Sequence, residues 1–150
     1  ESFEELGNGI ADELGAIVPL DRMNIGLIDM GGYMFTDAFV TGRNVPSRST
    51  GHRRTLSATV VEAGMRTGGG IVIGDEPPET LVERFPRLHS TLDTGIRSMI
   101  AAPLESKGET VAALVLASTR PSAYTAEDLE TVRCIGASIV HRIVALRGAV

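Results

Sequence analysis

The last third of this sequence, residues 95–150, most limits what the chain can fold into. Residues 99–104 and 110–117 are two short runs dominated by Met, Ile, Ala, Leu and Val, and the polar turn between them contains Gly108. Two apolar runs around a glycine-containing turn predict a β-hairpin. Because neither run alternates with polar residues, we expect both strands to be buried.

A helix start follows this hairpin. Thr125 precedes Asp128 by three residues, which is the spacing of a capping box with Thr125 as the N-cap. Tyr124 and Leu129 stand at the two positions of a hydrophobic staple. These residues predict that a long helix begins after Thr125.

Apolar residues of this helix recur at steps of four and three, as the a and d positions of a coiled coil do. With their apolar neighbours they cover about half of the circumference, whereas packing on one domain needs a stripe of about 100°. We therefore predict a homodimer through this helix, with an N-terminal helix that covers the surplus as the open alternative. The predicted interface residues are Val132, Ile139, Ile143, Leu146 and Val150.

The run 97–104, the turn with Gly108 and the segment 123–129 together resemble a GAF domain, and the resemblance extends over nearly the whole chain. It implies an α+β fold with about six antiparallel strands. The terminal helices would cover one face of the sheet, and a small-molecule pocket would lie under loops and short helices on the other. It also implies a sensory role in a signalling protein, such as a histidine kinase of a two-component system.

Composition places the chain among single soluble domains, 1–150. Its hydrophobic fraction of 43% excludes disorder, and its longest apolar run, 111–117, is too short to span a bilayer. A net charge of −5 argues against nucleic-acid binding. One cysteine fits a reducing, cytoplasmic location, and we expect no membrane contact. The chain does not begin with Met, so we expect a fragment of a larger protein with a linked output domain.

The first part of the chain predicts a helix and a second hairpin. Apolar residues from Phe3 to Ile17 recur at helical spacing until Pro19, and we expect this helix to lie beside the last one. Residues 23–28 and 33–40 then form two strands around Gly31 and Gly32.

A candidate pocket follows from the second of these strands. Alternation puts Tyr33, Phe35, Asp37 and Phe39 on one face, and an acidic residue among aromatic ones suits a pocket lining, although Asp37 at a solvent-facing strand end is equally open. We predict that the cavity also involves a short strand at 71–73 and the loops near it. The predicted lining residues are Phe35, Asp37, Phe39, Ile73, Asp75 and Arg97. For Arg97, bridging loops is the alternative role.

The long loop before residue 55 is basic. Arg48, His52, Arg53 and Arg54 fall within seven residues and suit an anionic ligand, with a solvated loop as the alternative. Beyond it we predict a short helix ended by glycines 68–70, and one or two helical turns at 81–88 interrupted by Pro86.

No catalytic or metal site is predicted. His52, His89 and His141 have no partner at metal-ligand spacing, and haem is not expected from a lone histidine. The resemblance includes bilin proteins, which attach the chromophore through a pocket cysteine, and methionine sulfoxide reductases, which need several cysteines. Cys134, the single cysteine, falls in the last helix and is interpreted as a small core residue.

The sequence thus predicts a non-catalytic regulatory domain that binds a small molecule of open identity and relays the signal through its last helix. The alternative is a dimerisation and relay module with a vestigial pocket.

Overall fold

The computed structural model describes residues 1–29 and 31–148. The helices are α1 (Phe3–Gly15), α2 (Val60–Thr67), α3 (Pro78–Arg84), α4 (His89–Asp93) and α5 (Ala126–Gly148), and a 3₁₀ turn spans Pro86–Leu88. The strands are β1 (Arg22–Ile28), β2 (Met34–Gly42), β3 (Arg53–Thr55), β4 (Ile71–Ile73), β5 (Ser98–Ser106) and β6 (Glu109–Ser118). None of these helices has both the length and the apolar character that a bilayer-spanning segment needs.

The strands form one open sheet in the order β3-β2-β1-β6-β5-β4, with every neighbouring pair antiparallel. The predicted fold class is therefore confirmed, and so are both hairpins, β1–β2 and β5–β6. The one strand that the sequence analysis missed is β3, because three residues inside a polar loop carry no periodic signal.

Each face of the sheet carries its own core. On one face α1 and α5 pack residues such as Leu6, Leu14 and Ile143 against Ile25 and Leu114 of the central strands. On the other face α2, α3, α4 and the loops between them form a second cluster. The strands can serve both clusters because successive side chains of a strand point to opposite faces.

A β-bulge in β2 corrects one predicted site residue. Ile25 pairs with Phe39, but the next residue, Gly26, pairs with Asp37, so Ala38 is an extra residue on β2. An extra residue reverses the facing of everything beyond it. Phe39 consequently packs under the terminal helices, against Leu6 and the bare backbone of Gly7, where a Cβ would lie 2.3 Å from its ring. The prediction that Phe39 borders the pocket is wrong.

The start of α5 is as predicted. The backbone N–H of Asp128 donates to the Thr125 hydroxyl at 3.1 Å, and the backbone N–H of Thr125 donates to the Asp128 carboxylate at 3.0 Å. Tyr124 is buried and donates its hydroxyl to the Pro19 carbonyl at 2.7 Å. The capping box therefore fixes both the first turn of α5 and its position beside the end of α1.

The apolar stripe of α5 faces its own domain. Val132, Ile139 and Ile143 are 0%, 7% and 1% exposed in the core, and Leu146 packs against the same cluster. Side chains buried against the sheet cannot form a seam between two copies, so the predicted interface is corrected at Val132, Ile139 and Ile143, whereas Leu146 is half-buried and its place at an interface stays a prediction. Val150, the fifth, lies outside the described residues. The four-and-three spacing reflects a helix laid along a sheet, where Gly136 lets α5 approach Leu104 closely.

The expected neighbour of α5 is α1, and the two run antiparallel. Arg142 forms an ion pair with Glu1 at one end, while Tyr124 reaches Pro19 at the other. Two glycines of α1 do not serve this contact, since Gly7 accommodates Phe39 and Gly9 has open space around it.

Candidate ligand pocket

A cavity of about 70 Å³ opens on the sheet face that carries α2, α3 and α4. Part of its lining is apolar: Phe35, Ala58, Val60, Val61, Leu88, Met99 and Val115. The rest is polar and mostly cationic: Arg22, Asn24, Arg48, Arg54, Thr59, Arg87 and Thr91. These residues come from separate parts of the chain, so the cavity exists only in the folded domain.

The floor of the cavity is the sheet itself. Asn24, Phe35, Met99 and Val115 lie on four neighbouring strands, β1, β2, β5 and β6. The ring of Phe35 crosses Gly26 of β1, where a Cβ would come within 1.8 Å of a ring carbon. Glycine at this position is therefore what allows the aromatic ring to lie flat on the sheet and leave space above it.

A buried carboxylate organises one wall. Asp37 is 0% exposed and accepts hydrogen bonds from Asn24 at 2.9 Å and from both terminal nitrogens of Arg54 at 2.5 and 3.3 Å. The guanidinium of Arg54 also lies 4.9 Å from the centroid of the Phe35 ring. Bidentate pairing and stacking together hold Arg54 in one orientation at the cavity.

Arg22 joins the cavity to the long loop before β3. It is 7% exposed and donates from its two terminal nitrogens to the backbone carbonyls of Arg43, at 2.8 Å, and Arg48. Burial lowers the pKa of Arg22, the nearby Asp37 opposes that change, and Arg54 adds to it. Arg22 thus fixes the loop by contacts with neutral carbonyls, while Asp37, the carboxylate that acts on its charge, is paired with Arg54.

Arg48 and Arg87 form the opposite wall and are less constrained. Arg48 donates to its neighbour's carbonyl at Ser47 and, at 3.5 Å, to the carbonyl of Arg87. Arg87 donates from Nη1 alone, to Thr55 and to the Ser57 carbonyl. Both guanidinium groups therefore retain N–H donors for a further partner, since each carries five.

The charges around the cavity do not balance. Four arginines line it, and Asp37 is the carboxylate that pairs with one of them, Arg54. Within the described residues neither Arg22, Arg48 nor Arg87 forms an ion pair. Burial lowers the pKa of Arg48 most, repulsion from Arg54, Arg87 and Arg22 lowers it further, and Asp37 opposes the change. The arginines of the lining consequently give the cavity an excess of positive charge.

The six-stranded antiparallel sheet with helices on both faces is the fold of a known family. The sequence model of the GAF domain matches residues 2–143. This chain belongs to the GAF family. The comparison with curated proteins finds no match.

Solved structures show the same fold at low identity. The GAF domain of a two-component sensor histidine kinase from Bacillus halodurans superposes with a TM-score of 0.73 at 17% identity, covering 96% of this chain and 96% of that one. The GAF domain of a phosphoenolpyruvate-protein phosphotransferase from Acinetobacter gives 0.71 at 19%, covering 97% and 82%. A free methionine-R-sulfoxide reductase from Neisseria meningitidis, solved with its substrate, gives 0.71 at 19%, covering 99% and 79%.

The residues predicted for the pocket of this GAF domain do not converge on one cavity. Phe35 lines the cavity and Asp37 lies behind it as the partner of Arg54. Ile73 is buried in the core beside the pocket, and Asp75 is exposed in the loop after β4. Arg97 donates to the carbonyls of Leu92 and Ile96, both at 2.8 Å, which is the loop-bridging role left open above.

The basic loop of the GAF domain contributes two of its four cationic residues. Arg48 and Arg54 line the cavity, whereas His52 and Arg53 do not. The sequence analysis missed Arg22, Arg87 and Thr91 as lining residues, because they come from β1 and from the helical turns after β4. No local pattern joins them to the loop.

Cys134 also differs from its predicted place in the core. It is exposed on α5, across the sheet from the cavity. Among residues 1–29 and 31–148, no three His, Cys, Asp or Glu side chains are grouped closely enough to hold a metal ion.

Proposed function

We propose that this GAF domain is a non-catalytic regulatory module that binds a small molecule in the cavity and passes the change through α5 to a linked output domain. The observation that carries the proposal is the unbalanced positive cavity over the central strands. Its neighbours that regulate or signal, such as the GAF domain from a sensor histidine kinase, support the same role by analogy of fold.

Strand β5 supplies a physical route from the cavity to α5. Met99 lines the cavity, and the residue before it, Ser98, donates its hydroxyl to the Arg120 carbonyl at 2.6 Å. The backbone N–H of Ala123 donates to the same hydroxyl at 3.3 Å. Further along β5, Leu104 packs on Gly136 of α5. A shift of β5 on ligand binding would therefore move both the entry loop and the middle of α5.

The ligand and relay roles are tested together by hydrogen exchange measured by mass spectrometry, with and without a bound compound from a metabolite library. We expect protection around the cavity and a change in exchange along 119–148. Binding without any change in α5 would contradict the relay. If no compound binds but exchange along α5 changes when the domain contacts a protein partner, the result would support the alternative, a dimerisation and relay module with a vestigial pocket.

We also propose that the domain forms a homodimer, through the outer face of α5 instead of the buried stripe. Cys134, Ala137, His141, Val144 and Ala145 are exposed on part of that face, and none of them is an Asp, Glu, Lys or Arg. The outer face of α1, by contrast, carries Glu4, Glu5, Asp12 and Glu13. Glu130, one turn before Cys134, and Arg142 border this patch of α5, and an uncharged patch on a helix is suited to pack against a second copy about a two-fold axis.

Val144→Glu tests the dimer. We expect it to shift the monomer–dimer equilibrium at least about tenfold toward monomer, because a carboxylate at a symmetric seam meets its own copy. Ile17→Glu is the matched control, since Ile17 is 60% exposed and lies outside α5. Analytical ultracentrifugation across the micromolar range measures both. A wild-type domain that stays monomeric throughout would refute the dimer.

A further inference from the structure

Given the proposed function, on which this inference rests, we propose that the cavity selects a small organic carboxylate with a short apolar chain. The carboxylate would lie between Arg48 and Arg87, with Arg22 and Arg54 behind it. The hydrocarbon part would contact Val60, Leu88 and the other apolar groups of the lining.

Charge is the first argument. Three of the four guanidinium groups lack an acidic partner among the described residues, and the cavity concentrates them around one space. Arg22 is buried and Arg48 and Arg87 are half-buried, so an anion that shares their space is attracted more strongly than it would be in bulk water, where the dielectric constant is higher. A neutral or cationic ligand would leave the repulsion between Arg48, Arg54 and Arg87 unrelieved.

The available donors are the second argument. Arg54 is committed to Asp37 and Arg22 to two loop carbonyls, so these two residues are fixed. Arg48 and Arg87 keep unused N–H groups, and the planar guanidinium matches the two oxygens of a carboxylate. The hydroxyl of Thr91, which is 7% exposed and lines the same cavity, is placed to add a neutral hydrogen bond.

The size of the cavity and its apolar lining limit which anionic ligands fit. A water molecule needs about 10–15 Å³ of such a cavity, so 70 Å³ holds roughly five to seven groups of that size. A nucleotide or a tetrapyrrole is much larger than that. An inorganic anion such as phosphate fits by volume but leaves the side chains of Val60, Val61 and Met99 without an apolar partner. A carboxylate of about four carbons fits the volume, pairs with the arginines and places its hydrocarbon chain against the apolar side chains.

Butyrate and butyramide make a matched pair of probes, because they have the same shape and differ in charge. The methyl signals of Met99, Val60 and Val115 are followed by NMR as each compound is titrated into the millimolar range at matched ionic strength. We expect saturable shifts with butyrate and none with butyramide. Inorganic phosphate forms a third arm, and we expect it to bind more weakly than butyrate.

Arg48→Gln tests the assignment of the carboxylate. We expect it to weaken butyrate binding at least about tenfold, as loss of a charged hydrogen bond does. Arg53→Gln removes the same charge five residues away, where the side chain is 60% exposed and pairs with Asp29, and we expect a change of less than about twofold. Thermal unfolding of both variants verifies that they fold. The comparison of butyrate with butyramide uses the wild-type domain, so it remains a valid test even if a variant does not fold.

The outcomes separate this inference from the proposed function. If neutral compounds shift the cavity methyls and carboxylates do not, the anion assignment is wrong while the regulatory role stands. Tighter binding of phosphate than butyrate would overturn the carboxylate class. If butyrate binds but exchange along α5 is unchanged, the inference holds and the relay fails. If no compound of any charge binds, both are overturned.

Discussion

Asp37→Ala is expected to lower the free energy of unfolding by about 3–5 kcal/mol, the range observed when one partner of a buried ion pair is removed. Asp37 is 0% exposed, and its carboxylate accepts all of the hydrogen bonds that hold Arg54 and Asn24 in place. Without this carboxylate, Arg54 would also lack an acidic partner among the described residues, as the other three arginines of the cavity already do. A loss of this size is a large fraction of the stability of a domain of this length.

Urea unfolding measures the effect, with the midpoint and slope fitted for each variant. Asp75→Ala is the matched control, because Asp75 is exposed, and we expect a change within about 0.5 kcal/mol. Replacing both partners, as Asp37→Leu with Arg54→Met, is expected to recover much of the loss, since an apolar pair leaves no unpaired charge. A stability of Asp37→Ala within about 1 kcal/mol of wild type would contradict a structural role for this pair.

The features that sequence reasoning predicted well depend on neighbours along the chain. The capping box at Thr125 and Asp128 is formed within four residues, and the β5–β6 hairpin closes over the turn at Gly108. Local chemistry is therefore enough to predict these elements. The same reasoning found the basic loop, and with it Arg48 and Arg54, because their clustering is visible in the sequence.

The features that it missed depend on distant residues or on small irregularities. The bulge at Ala38 carries no sequence signal, yet it turns Phe39 away from the pocket and toward Gly7. Arg22 and Arg87 join Arg48 only because the fold brings β1 and the 3₁₀ turn to the same cavity. Four-and-three spacing describes any long apolar helix face, including one that lies on its own sheet, so the sequence of α5 does not distinguish its core stripe from a coiled-coil seam.

Gly26→Ala is expected to close the cavity while leaving the fold intact. A Cβ at residue 26 would stand within 2.5 Å of three carbons of the Phe35 ring, and the ring is 1% exposed. The free space beside it is the 70 Å³ cavity, so the ring must turn into that space. We expect overpacking to cost about 1–3 kcal/mol of stability and butyrate binding to be lost.

A double-mutant cycle with Phe35→Leu separates this steric cause from any general effect of removing a glycine. If the ring crosses Gly26 as described, the smaller leucine relieves the clash, and the double variant is more stable than the sum of the single changes predicts. Gly9→Ala is the control, because nothing lies within 4 Å of its added Cβ, and alanine in an exposed helix is expected to stabilise by about 0.5–1 kcal/mol. Two results would contradict this geometry. One is that the changes in unfolding free energy caused by Gly26→Ala and Phe35→Leu are strictly additive, and the other is that Gly26→Ala leaves the affinity for butyrate unchanged. Either result would mean that the Phe35 ring does not form the floor of the ligand cavity. The coupling measured at residues 26 and 35 therefore tests the geometry of the cavity without reference to its charge.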